Sequence, residues 1–342
     1  MASRPRPTVT YDAPPNIALV KYWGVRDEEL RLPYNSSFSV TLDRLRSRTT
    51  VRFDSELRED EVVLNGAAAV GGPHDGVVRF LDRVRELAGT ADRASVRSEN
   101  NFPTASGLAS SASGFAALAG AATRAAGLTL SDRELSRLAR QGSGSASRSV
   151  FGGFVEWRAG VRPDGFDSYA RSVYPARHWP SLVDLVLLVR GAPVKEVRSN
   201  DAMQATVRTS PDYRARLAEV PRRLRAIRAA VGARRADRLF ALVMEECDSF
   251  RLVCETTVPS LDYLTATSRA ILAEVRALNR AAGRTLAGYT HDAGAHVHVF
   301  TLARDLAAVR RRLADIEGVE RTLVVRPGPG GRLVRETTGR AS

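Results

Sequence analysis

The sequence of 342 residues predicts an α+β protein that is divided into two domains. Three observations predict this fold class. Short β-rich segments occupy the first 65 residues, at 18–23, 37–42 and 49–53. A nearly continuous apolar strand is predicted over 182–190, and long helical patterns follow it over 211–231, 236–256 and 259–282. Because the pattern changes from strands to long helices there, we place the domain boundary between residues 188 and 189.

The remaining elements follow from apolar spacing and capping. Helical spacing predicts a helix over 77–87, and an Ala-rich run predicts a helix over 110–126 that is buried on all sides. A helix over 131–140 begins with Ser131 and has Glu134 three residues later, which is a capping box. In the second half, a helix is predicted over 303–316 and strands over 285–290, 296–302 and 321–325. The Gly/Pro-rich segment from Pro327 predicts a frayed tail.

The net charge of +13 is the unusual feature of the composition, because 51 basic residues stand against 38 acidic ones. Only Lys21 and Lys195 are lysines, and ten of the excess charges lie within 211–240 and 301–342. These stretches hold almost no aromatic side chains on which bases could stack, so we interpret them as the solvated faces of Arg-rich helices. No nucleic-acid partner is predicted.

Other protein classes are excluded on similar grounds. No run of 18 apolar residues predicts a membrane span, and residues 1–10 lack the apolar core of a secretory signal. Cys247 and Cys254 are seven residues apart on one helical face, which predicts buried free thiols rather than a disulfide framework. These features predict a reducing, cytoplasmic location and no membrane partner.

Residues 100–114 (NNFPTASGLASSASG) place a small-residue loop directly before a helix. Free backbone N–H groups and the helix dipole make such a junction an anion site, and Gly107 lets a phosphate approach the backbone. The hydroxyls of Ser110 and Ser111 can donate to a phosphate or bind Mg²⁺. The alternative is a tight helix contact that needs small residues.

A second loop, 142–148 (GSGSASR), has a flexible backbone, three hydroxyls and an arginine. Arg148 can bind a carboxylate or a phosphate through two parallel hydrogen bonds. The alternative is a turn that carries a surface arginine.

Two further residues are candidates because of their settings. Lys21 stands in an apolar and aromatic strand, where a buried ammonium needs an anionic partner, unless it reaches the surface from there. Asp292 precedes a glycine turn at the end of a strand, which exposes its carboxylate at a sheet edge, although aspartate also commonly begins turns. His291, His296 and His298 show no further ligand pattern, so no metal site is predicted among them. Together these parts predict a phosphoryl-transfer site.

Several short segments carry a family resemblance, and in chain order they are residues 16–24, 26–30, 100–114, 142–148, 151–157, 203–204, 209–211 and 289–294. Together they resemble the diphosphomevalonate decarboxylase family of the galactokinase/homoserine kinase/mevalonate kinase superfamily. The resemblance implies a ribosomal-protein-S5-domain-2-like N-terminal ATP-binding domain over 1–188. It also implies a ferredoxin-like substrate-side domain over 189–342. The implied reaction uses ATP and Mg²⁺ to phosphorylate the 3-hydroxyl of mevalonate diphosphate, after which phosphate and CO₂ leave to give isopentenyl diphosphate.

The resemblance also implies roles for individual residues and a possible homodimer. Asp292 matches the family's catalytic aspartate, while Lys21 and Arg148 match groups near the reacting carboxylate and phosphates. The implied nucleotide-binding residues are Asn100, Pro103, Ser106, Gly107, Leu108, Ala109, Ser110 and Ser111, with Ser111 also the Mg²⁺ ligand. The implied substrate-binding residues are Asn16, Lys21, Tyr22, Ser143, Ser145, Arg148, Ser199 and Met203.

Several positions depart from the family pattern. Val25 and Gln141 stand where a basic residue is common, Ser147 where cysteine is common, and Ala295 and His296 where Pro-Asn is usual. The lost positive charges leave open a substrate with fewer phosphates, such as mevalonate phosphate, or another 3-hydroxy acid. Kinase activity without decarboxylation also stays open.

Overall fold

The computed structural model describes residues 6–102, 110–192, 197 and 199–337. The helices in these residues are α1 (Gly72–Ala88), α2 (Ser110–Ala125), α3 (Asp132–Gly142), α4 (Ala146–Ser149), α5 (Ser199–Thr209), α6 (Tyr213–Gly232), α7 (Ala236–Glu255), α8 (Ala266–Ala282) and α9 (Leu306–Ala314). The strands are β1 (Thr8–Ala13), β2 (Asn16–Val20), β3 (Val25–Asp27), β4 (Leu32–Pro33), β5 (Ser37–Thr41), β6 (Ser47–Asp54), β7 (Glu61–Leu64), β8 (Ala67–Ala68), β9 (Arg93–Asn100), β10 (Phe154–Trp157), β11 (Ala170–Tyr174), β12 (Leu182–Val189), β13 (Ala287–Thr290), β14 (Val297–Leu302), β15 (Val319–Val325) and β16 (Arg332–Thr337).

Three larger sheets and one hairpin organise these strands. A six-stranded sheet has the order β16-β1-β6-β9-β7-β8, and a four-stranded sheet has the order β11-β10-β5-β2. The third sheet, β13-β14-β12-β15, belongs to the second half of the chain, and β3 pairs with β4. The α+β fold class is therefore confirmed.

Helices cover each sheet and form the hydrophobic cores. Helices α1, α2 and α3 pack on the six-stranded sheet, and α6 and α7 pack on the second sheet and part of the third. Helices α8 and α9 cover the third sheet. Within the described residues, none of the helices is long and apolar enough to cross a membrane.

Local chemistry explains several helix boundaries. Helix α3 begins at the predicted capping box, in which the backbone N–H of Glu134 donates to Ser131 and the Glu134 carboxylate accepts from the Ser131 backbone. The Ala-rich α2 is buried over most of its length, with Ser111 and Arg124 exposed near its two ends. Its close packing requires glycine at 120, where a Cβ atom would lie 2.6 Å from the ring of Tyr11. Cys247 and Cys254 are buried free thiols on α7, as predicted.

The structure corrects two expectations about the second half of the chain. The expected boundary between residues 188 and 189 falls inside β12, which pairs with β14 and β15 and therefore belongs entirely to the third sheet. The segment from Pro327 to Thr337, where the described residues end, is not frayed, because β16 pairs with β1 from Thr8 opposite Thr337 to Asp12 opposite Arg332. Its side chains are mostly exposed, so backbone hydrogen bonds rather than an apolar pattern define this strand.

The structure also corrects the loop expected over 142–148. Residues Ala146–Ser149 form the short helix α4, whose buried side chains include Ser147 and Arg148. The hydroxyl of Ser147 donates to the carbonyl of Gly144 at 2.7 Å. The second half of this segment is therefore held rigidly against the core.

Candidate active site

A cavity of about 490 Å³ lies where the first two sheets meet the second half of the chain. The end of β2, the start of α2, the 142–145 turn, α5, α7 and the turn after β13 form its walls. Of the residues predicted from sequence, those that line it are Lys21, Tyr22, Ser110, Ser111, Ser143, Ser145, Arg148, Ser199, Met203 and Asp292. Folding thus brings together segments that are up to 271 residues apart.

Lys21 and Asp292 form an ion pair in the wall of the cavity. The Nζ of Lys21 donates to Oδ1 of Asp292 at 2.7 Å, and the Lys21 side chain is 2% exposed, against 26% for Asp292. Lys21 is therefore not a lysine that reaches the surface. Burial would raise the pKa of the Asp292 carboxyl, but the Lys21 ammonium, with smaller contributions from His298 and Arg148, holds it below its ordinary value.

Arg148 is buried beside this pair, which excludes the surface-arginine alternative. Its Nε donates to Oδ1 of Asn16 at 2.9 Å, and its Nη1 donates to the hydroxyl of Ser37 at 2.7 Å. Burial lowers the pKa of the Arg148 guanidinium to about 10, against the attraction of Asp292. No carboxylate of the described residues forms an ion pair with Arg148. A buried cation that lacks an anionic partner can bind an anionic ligand.

Asn16 positions this arginine rather than lining the cavity. Besides accepting from Arg148, its Nδ2 donates to the hydroxyl of Ser149 at 2.8 Å and to the carbonyl of Ser145 at 3.3 Å. These bonds connect β2 to α4 and hold the guanidinium in one orientation.

Serine hydroxyls from two helix ends face each other across the cavity. Ser111 lies in the first turn of α2, and its Oγ is 3.5 Å from the Oγ of Ser143, which caps α3. The Oγ of Ser143 is in turn 3.4 Å from the Oγ of Ser145. The N-terminus of α2 and these hydroxyls present donors to an anion in the cavity.

The 142–145 turn fits tightly against aromatic rings. A Cβ atom at Gly142 would lie 2.3 Å from the ring of Phe115, and one at Gly144 would lie 2.6 Å from the ring of Tyr22. Only glycine permits this approach. Burial raises the pKa of the Tyr22 phenol to about 12, so this hydroxyl stays protonated and can donate a hydrogen bond.

Helix α5 contributes a wall from the second half of the chain. Met203 is 5% exposed and packs in a cluster with Trp23 and Phe250, which also line the cavity. Ser199 and Asn200 lie in the first turn of α5, and the Oδ1 of Asn200 is buried without a partner among the described residues. Asn200 is a polar cavity residue that sequence reasoning missed, because it carries no local pattern beyond a helix start.

A buried acid outside every predicted motif holds the Lys21 backbone. Glu246 on α7 is fully buried, and its Oε1 accepts from the backbone N–H of Lys21 at 3.0 Å and from Nη2 of Arg216 at 2.5 Å. Arg223 donates to the other oxygen at 3.3 Å. The interpretation of 211–240 as a solvated face is wrong for these two arginines, because α6 packs on α7 and buries their guanidinium groups.

The three histidines have separate structural partners. The Nδ1 of His291 is 2.8 Å from the carbonyl of Asp292, and burial lowers the pKa of His291 to about 4. His296 accepts from the backbone N–H of Val189 at 3.1 Å, and His298 contacts Asp184 at 2.7 Å. His296, one of the departures from the family pattern, therefore anchors β12.

The nucleotide side is described only in part. Pro103, Ser106, Gly107, Leu108 and Ala109 lie outside the described residues, as does Lys195. Asn100 does not line the cavity. Its Oδ1 accepts from the hydroxyl of Ser47, which is 2.7 Å from the hydroxyl of Ser113 on α2. Asn100 thus supports the start of α2 from behind.

The fold and the cavity define a class of protein, the two-domain small-molecule enzymes that transfer a phosphoryl group to an anionic substrate. The model of the diphosphomevalonate decarboxylase-like N-terminal domain matches residues 13–170, and that of the mevalonate 5-diphosphate decarboxylase C-terminal domain matches residues 185–323. The chain belongs to the diphosphomevalonate decarboxylase family.

Relatives and solved structures agree with this assignment. The diphosphomevalonate decarboxylase of Bos taurus is 44% identical over 332 residues, covering 91% of this chain and 82% of the relative. The enzyme of Homo sapiens is 43% identical, covering 88% of this chain and 79% of the relative. A mevalonate diphosphate decarboxylase structure from Enterococcus faecalis has a TM-score of 0.87 at 39% identity, covering 96% of this chain and 98% of that one. A complex of MDDEF with MVAPP, AMPPCP and magnesium has a TM-score of 0.89 at the same identity and coverage.

Proposed function

We propose that this chain catalyses the ATP-dependent decarboxylation of mevalonate diphosphate to isopentenyl diphosphate. The reaction phosphorylates the 3-hydroxyl and then releases phosphate and CO₂. The observation that carries the proposal is the Lys21–Asp292 pair, joined at 2.7 Å in a cavity that also holds the buried Arg148. Family membership supports the same reaction.

Asp292 is proposed to orient the 3-hydroxyl and to accept its proton. Its lowered pKa keeps it ionised throughout the neutral range, so it is always an acceptor, although a weak base. A weak base suffices because phosphoryl transfer depends mainly on positioning and on stabilisation of charge. Lys21 fixes the direction of the carboxylate through its hydrogen bond.

Arg148 is proposed to hold the substrate carboxylate. It is buried, it has neutral hydrogen-bond partners in Asn16 and Ser37, and it forms no ion pair with a described carboxylate. A substrate anion would offset the cost of burying this cation. The rigid guanidinium then aligns the carboxylate with the bond that must break.

The described start of α2 fits a nucleotide with its metal ion. Ser110 and Ser111 line the cavity in the first turn of α2, and the Ser111 hydroxyl is exposed to it. When bound, ATP supplies the phosphoryl group, and Mg²⁺ offsets the negative charge of its phosphates. We propose Ser111 as the Mg²⁺ ligand and Ser110 as a phosphate donor. The remaining nucleotide contacts are proposed at Pro103, Ser106, Gly107, Leu108 and Ala109. Asn100 is proposed to act on the nucleotide through the start of α2, which it supports.

The other wall residues are proposed to bind the substrate. The serine and tyrosine hydroxyls are donors for its phosphates, and Met203 supplies an apolar surface for its carbon skeleton. The proposed substrate contacts in the wall besides Lys21 and Arg148 are Tyr22, Ser143, Ser145, Ser199 and Met203. Asn16 is proposed to act on the substrate through Arg148, which it holds in one orientation.

The phosphorylated substrate then loses phosphate and CO₂ in two bond-breaking events. The C3–O bond breaks, and its electron pair leaves with the phosphate, while the tertiary carbon takes up positive charge. The bond to the carboxylate carbon then breaks, and its electron pair forms the alkene as CO₂ departs. Lys21 and Arg148 stabilise the departing phosphate and the aligned carboxylate electrostatically.

A substrate panel tests this proposal. The protein is incubated with ATP, Mg²⁺ and either mevalonate diphosphate, mevalonate phosphate or another 3-hydroxy acid, and ADP and CO₂ are scored separately. We expect equal amounts of ADP and CO₂ from mevalonate diphosphate. ADP without CO₂ would show kinase activity alone, and turnover of only another acid would refute the proposed substrate.

We also infer a cytoplasmic location and a homodimer. The buried free thiols of Cys247 and Cys254 support a reducing compartment, and the family resemblance supports the dimer. Light scattering of the purified protein measures its mass directly, and a monomer at micromolar concentration would contradict the dimer.

A further inference from the structure

Arg31 is a cavity residue that none of the sequence motifs assigned. It occupies the turn of the hairpin between β3 and β4, and its side chain lines the cavity together with Tyr22 and the 142–145 turn. Its Nε donates to the backbone carbonyl of Gln141 at 2.8 Å. This bond holds the guanidinium at the wall.

The backbone of Arg31 lies in the left-handed region, with φ of 50°. This conformation is unfavourable for most L residues, whereas glycine and asparagine adopt it readily. Unfavourable backbone conformations that persist often place a side chain for function. Arg234 has a similar φ of 53° in an exposed turn, so the backbone conformation alone assigns no function, and the position and partners of the Arg31 side chain decide its role.

The guanidinium of Arg31 also has no ion-pair partner among the described residues. Burial lowers its pKa, and the positive charges of Arg83 and Arg79 act in the same direction, against the attraction of Tyr22 and Glu28. In the described part of the chain, no carboxylate forms an ion pair with Arg31, and a hydrogen-bond partner is found only for its Nε. The nitrogen atoms at the end of the side chain are available to an anion in the cavity.

Two departures from the family pattern become connected at this point. Val25, which stands where lysine is common, is buried against Met203 and Phe250 in the strand that begins the same hairpin. Gln141, which also replaces a basic residue, accepts from Arg31 through its backbone and from Arg83 through its side chain, at 2.5 Å. A basic side chain at 141 would repel both arginines. The hairpin carries positive charge at Arg26, which donates to the carbonyls of Gly160 and Arg162, and at Arg31, which lines the cavity.

We propose that Arg31 binds the terminal phosphate of the substrate's diphosphate, in place of the basic residues missing at positions 25 and 141. This inference rests on the proposed function. A guanidinium matches a phosphate by two parallel hydrogen bonds, so one arginine compensates for a lost ammonium. The loss of charge at Val25 and Gln141 then does not indicate a substrate with fewer phosphates.

Shortening the side chain and shortening the substrate together test this contact. Arg31→Asn keeps a residue that tolerates the left-handed turn but removes the charge. Arg234→Asn is the matched control, because Arg234 has φ of 53° in the exposed turn between α6 and α7. The measurements are kcat and KM for mevalonate diphosphate, KM for ATP, the inhibition constant of mevalonate phosphate and the midpoint of thermal unfolding.

We expect Arg31→Asn to raise KM for mevalonate diphosphate by about tenfold to a hundredfold, the usual size of a lost hydrogen-bonded charge contact. The KM for ATP and the inhibition constant of mevalonate phosphate should change by less than about threefold. Arg31→Lys should recover part of the loss. The Arg234→Asn control should match the wild type, and neither asparagine variant should lower the midpoint of unfolding by more than about 2 °C.

Three results would overturn the assignment of Arg31. The first is a KM for mevalonate diphosphate that Arg31→Asn leaves unchanged. The second is an inhibition constant of mevalonate phosphate that rises as much as the KM for mevalonate diphosphate. The third is a rise only in the KM for ATP, which also carries phosphates. Failure of the proposed function is a separate result, since the wild type would then release neither ADP nor CO₂ from mevalonate diphosphate.

Discussion

Replacing Glu246 by glutamine removes one buried negative charge and leaves the shape of the side chain intact. Glu246 is fully buried on α7, and Arg216, which is 3% exposed, donates to it at 2.5 Å. The backbone N–H of Lys21 donates to the same oxygen at 3.0 Å. The glutamine oxygen can still accept from Lys21, so the main loss is the negative charge that faces Arg216 and the partly buried Arg223.

The expected cost follows from this burial. Breaking a buried ion pair so that one charge stays unpaired costs about 3–5 kcal/mol in the free energy of unfolding. The unfolding entropy of about 2.1 cal/mol/K per residue amounts to about 0.7 kcal/mol/K for 342 residues. Glu246→Gln should therefore lower the midpoint of thermal unfolding by about 4–7 °C.

The control is an exposed ion pair one helix away. Glu219 pairs with Arg222 at 2.7 Å, and both side chains are about half exposed. Glu219→Gln should cost about 0.5 kcal/mol or less, because solvent screens such pairs. Calorimetry and urea unfolding of both variants measure the difference. Turnover per folded molecule of Glu246→Gln should stay within a few fold of wild type at 25 °C, since the Lys21 hydrogen bond is retained.

The effect should depend on pH in a defined direction. Burial raises the pKa of Glu246, but the charge and hydrogen bond of Arg216 outweigh it and hold the pKa below the ordinary value of 4.5. A carboxyl with a depressed pKa contributes stability above its unfolded pKa and loses it as the pH falls through the folded value. The difference between wild type and Glu246→Gln should be full at pH 7 and shrink below about pH 4.5.

Equal shifts of the midpoint of unfolding in Glu246→Gln and Glu219→Gln would contradict the assigned role of this buried charge. A difference from wild type that stays constant down to pH 3 would contradict it as well. Either result would mean that Arg216 finds solvent or another partner when the charge of Glu246 is removed.

Three further variants test the site itself. Asp292→Asn should reduce turnover by about 10²-fold or more and leave the affinity for ATP within threefold, and normal turnover would remove Asp292 from the mechanism. Lys21→Met removes the cation that depresses the pKa of Asp292, so the acid limb of the pH–rate profile should move to higher pH; an unmoved limb would contradict the pairing. Gly144→Ala should raise KM for the substrate by displacing the ring of Tyr22, whereas Gly76→Ala on α1, with space for a Cβ atom, should add about 0.5–1 kcal/mol of stability without changing KM.

The chemistry of the site was predictable where a residue contradicted its local setting. Lys21 in an apolar strand was identifiable from its neighbours in sequence. Asp292 before a glycine turn became a candidate only together with the other segments, because aspartate also commonly begins turns. Their pairing was not predicted from local patterns, because 271 residues separate them and only the docking of β2 beside the end of β13 brings them to 2.7 Å.

Residues with ordinary local settings could not be identified in this way. Arg216 looked like any arginine on an exposed helix, and its burial depends on how α6 packs against α7. Arg31 looked like a surface residue of a turn, and its place in the cavity depends on the β3–β4 hairpin and the end of α3. Strand β16 had no apolar alternation, because its partner β1 stabilises it through the backbone.

The sequence by itself determined the α+β class, the capping box of α3, the buried apolar strand β12 and the identity of most groups that face the cavity. These features follow from periodicity and from side-chain chemistry within a few residues of each other. Only the tertiary structure decided that β12 belongs to the third sheet, that β16 returns to the first, that Glu246 braces Lys21 and that Arg31 faces the cavity. Burial and charge pairing are properties of surfaces that meet, and here those surfaces come from distant parts of the chain.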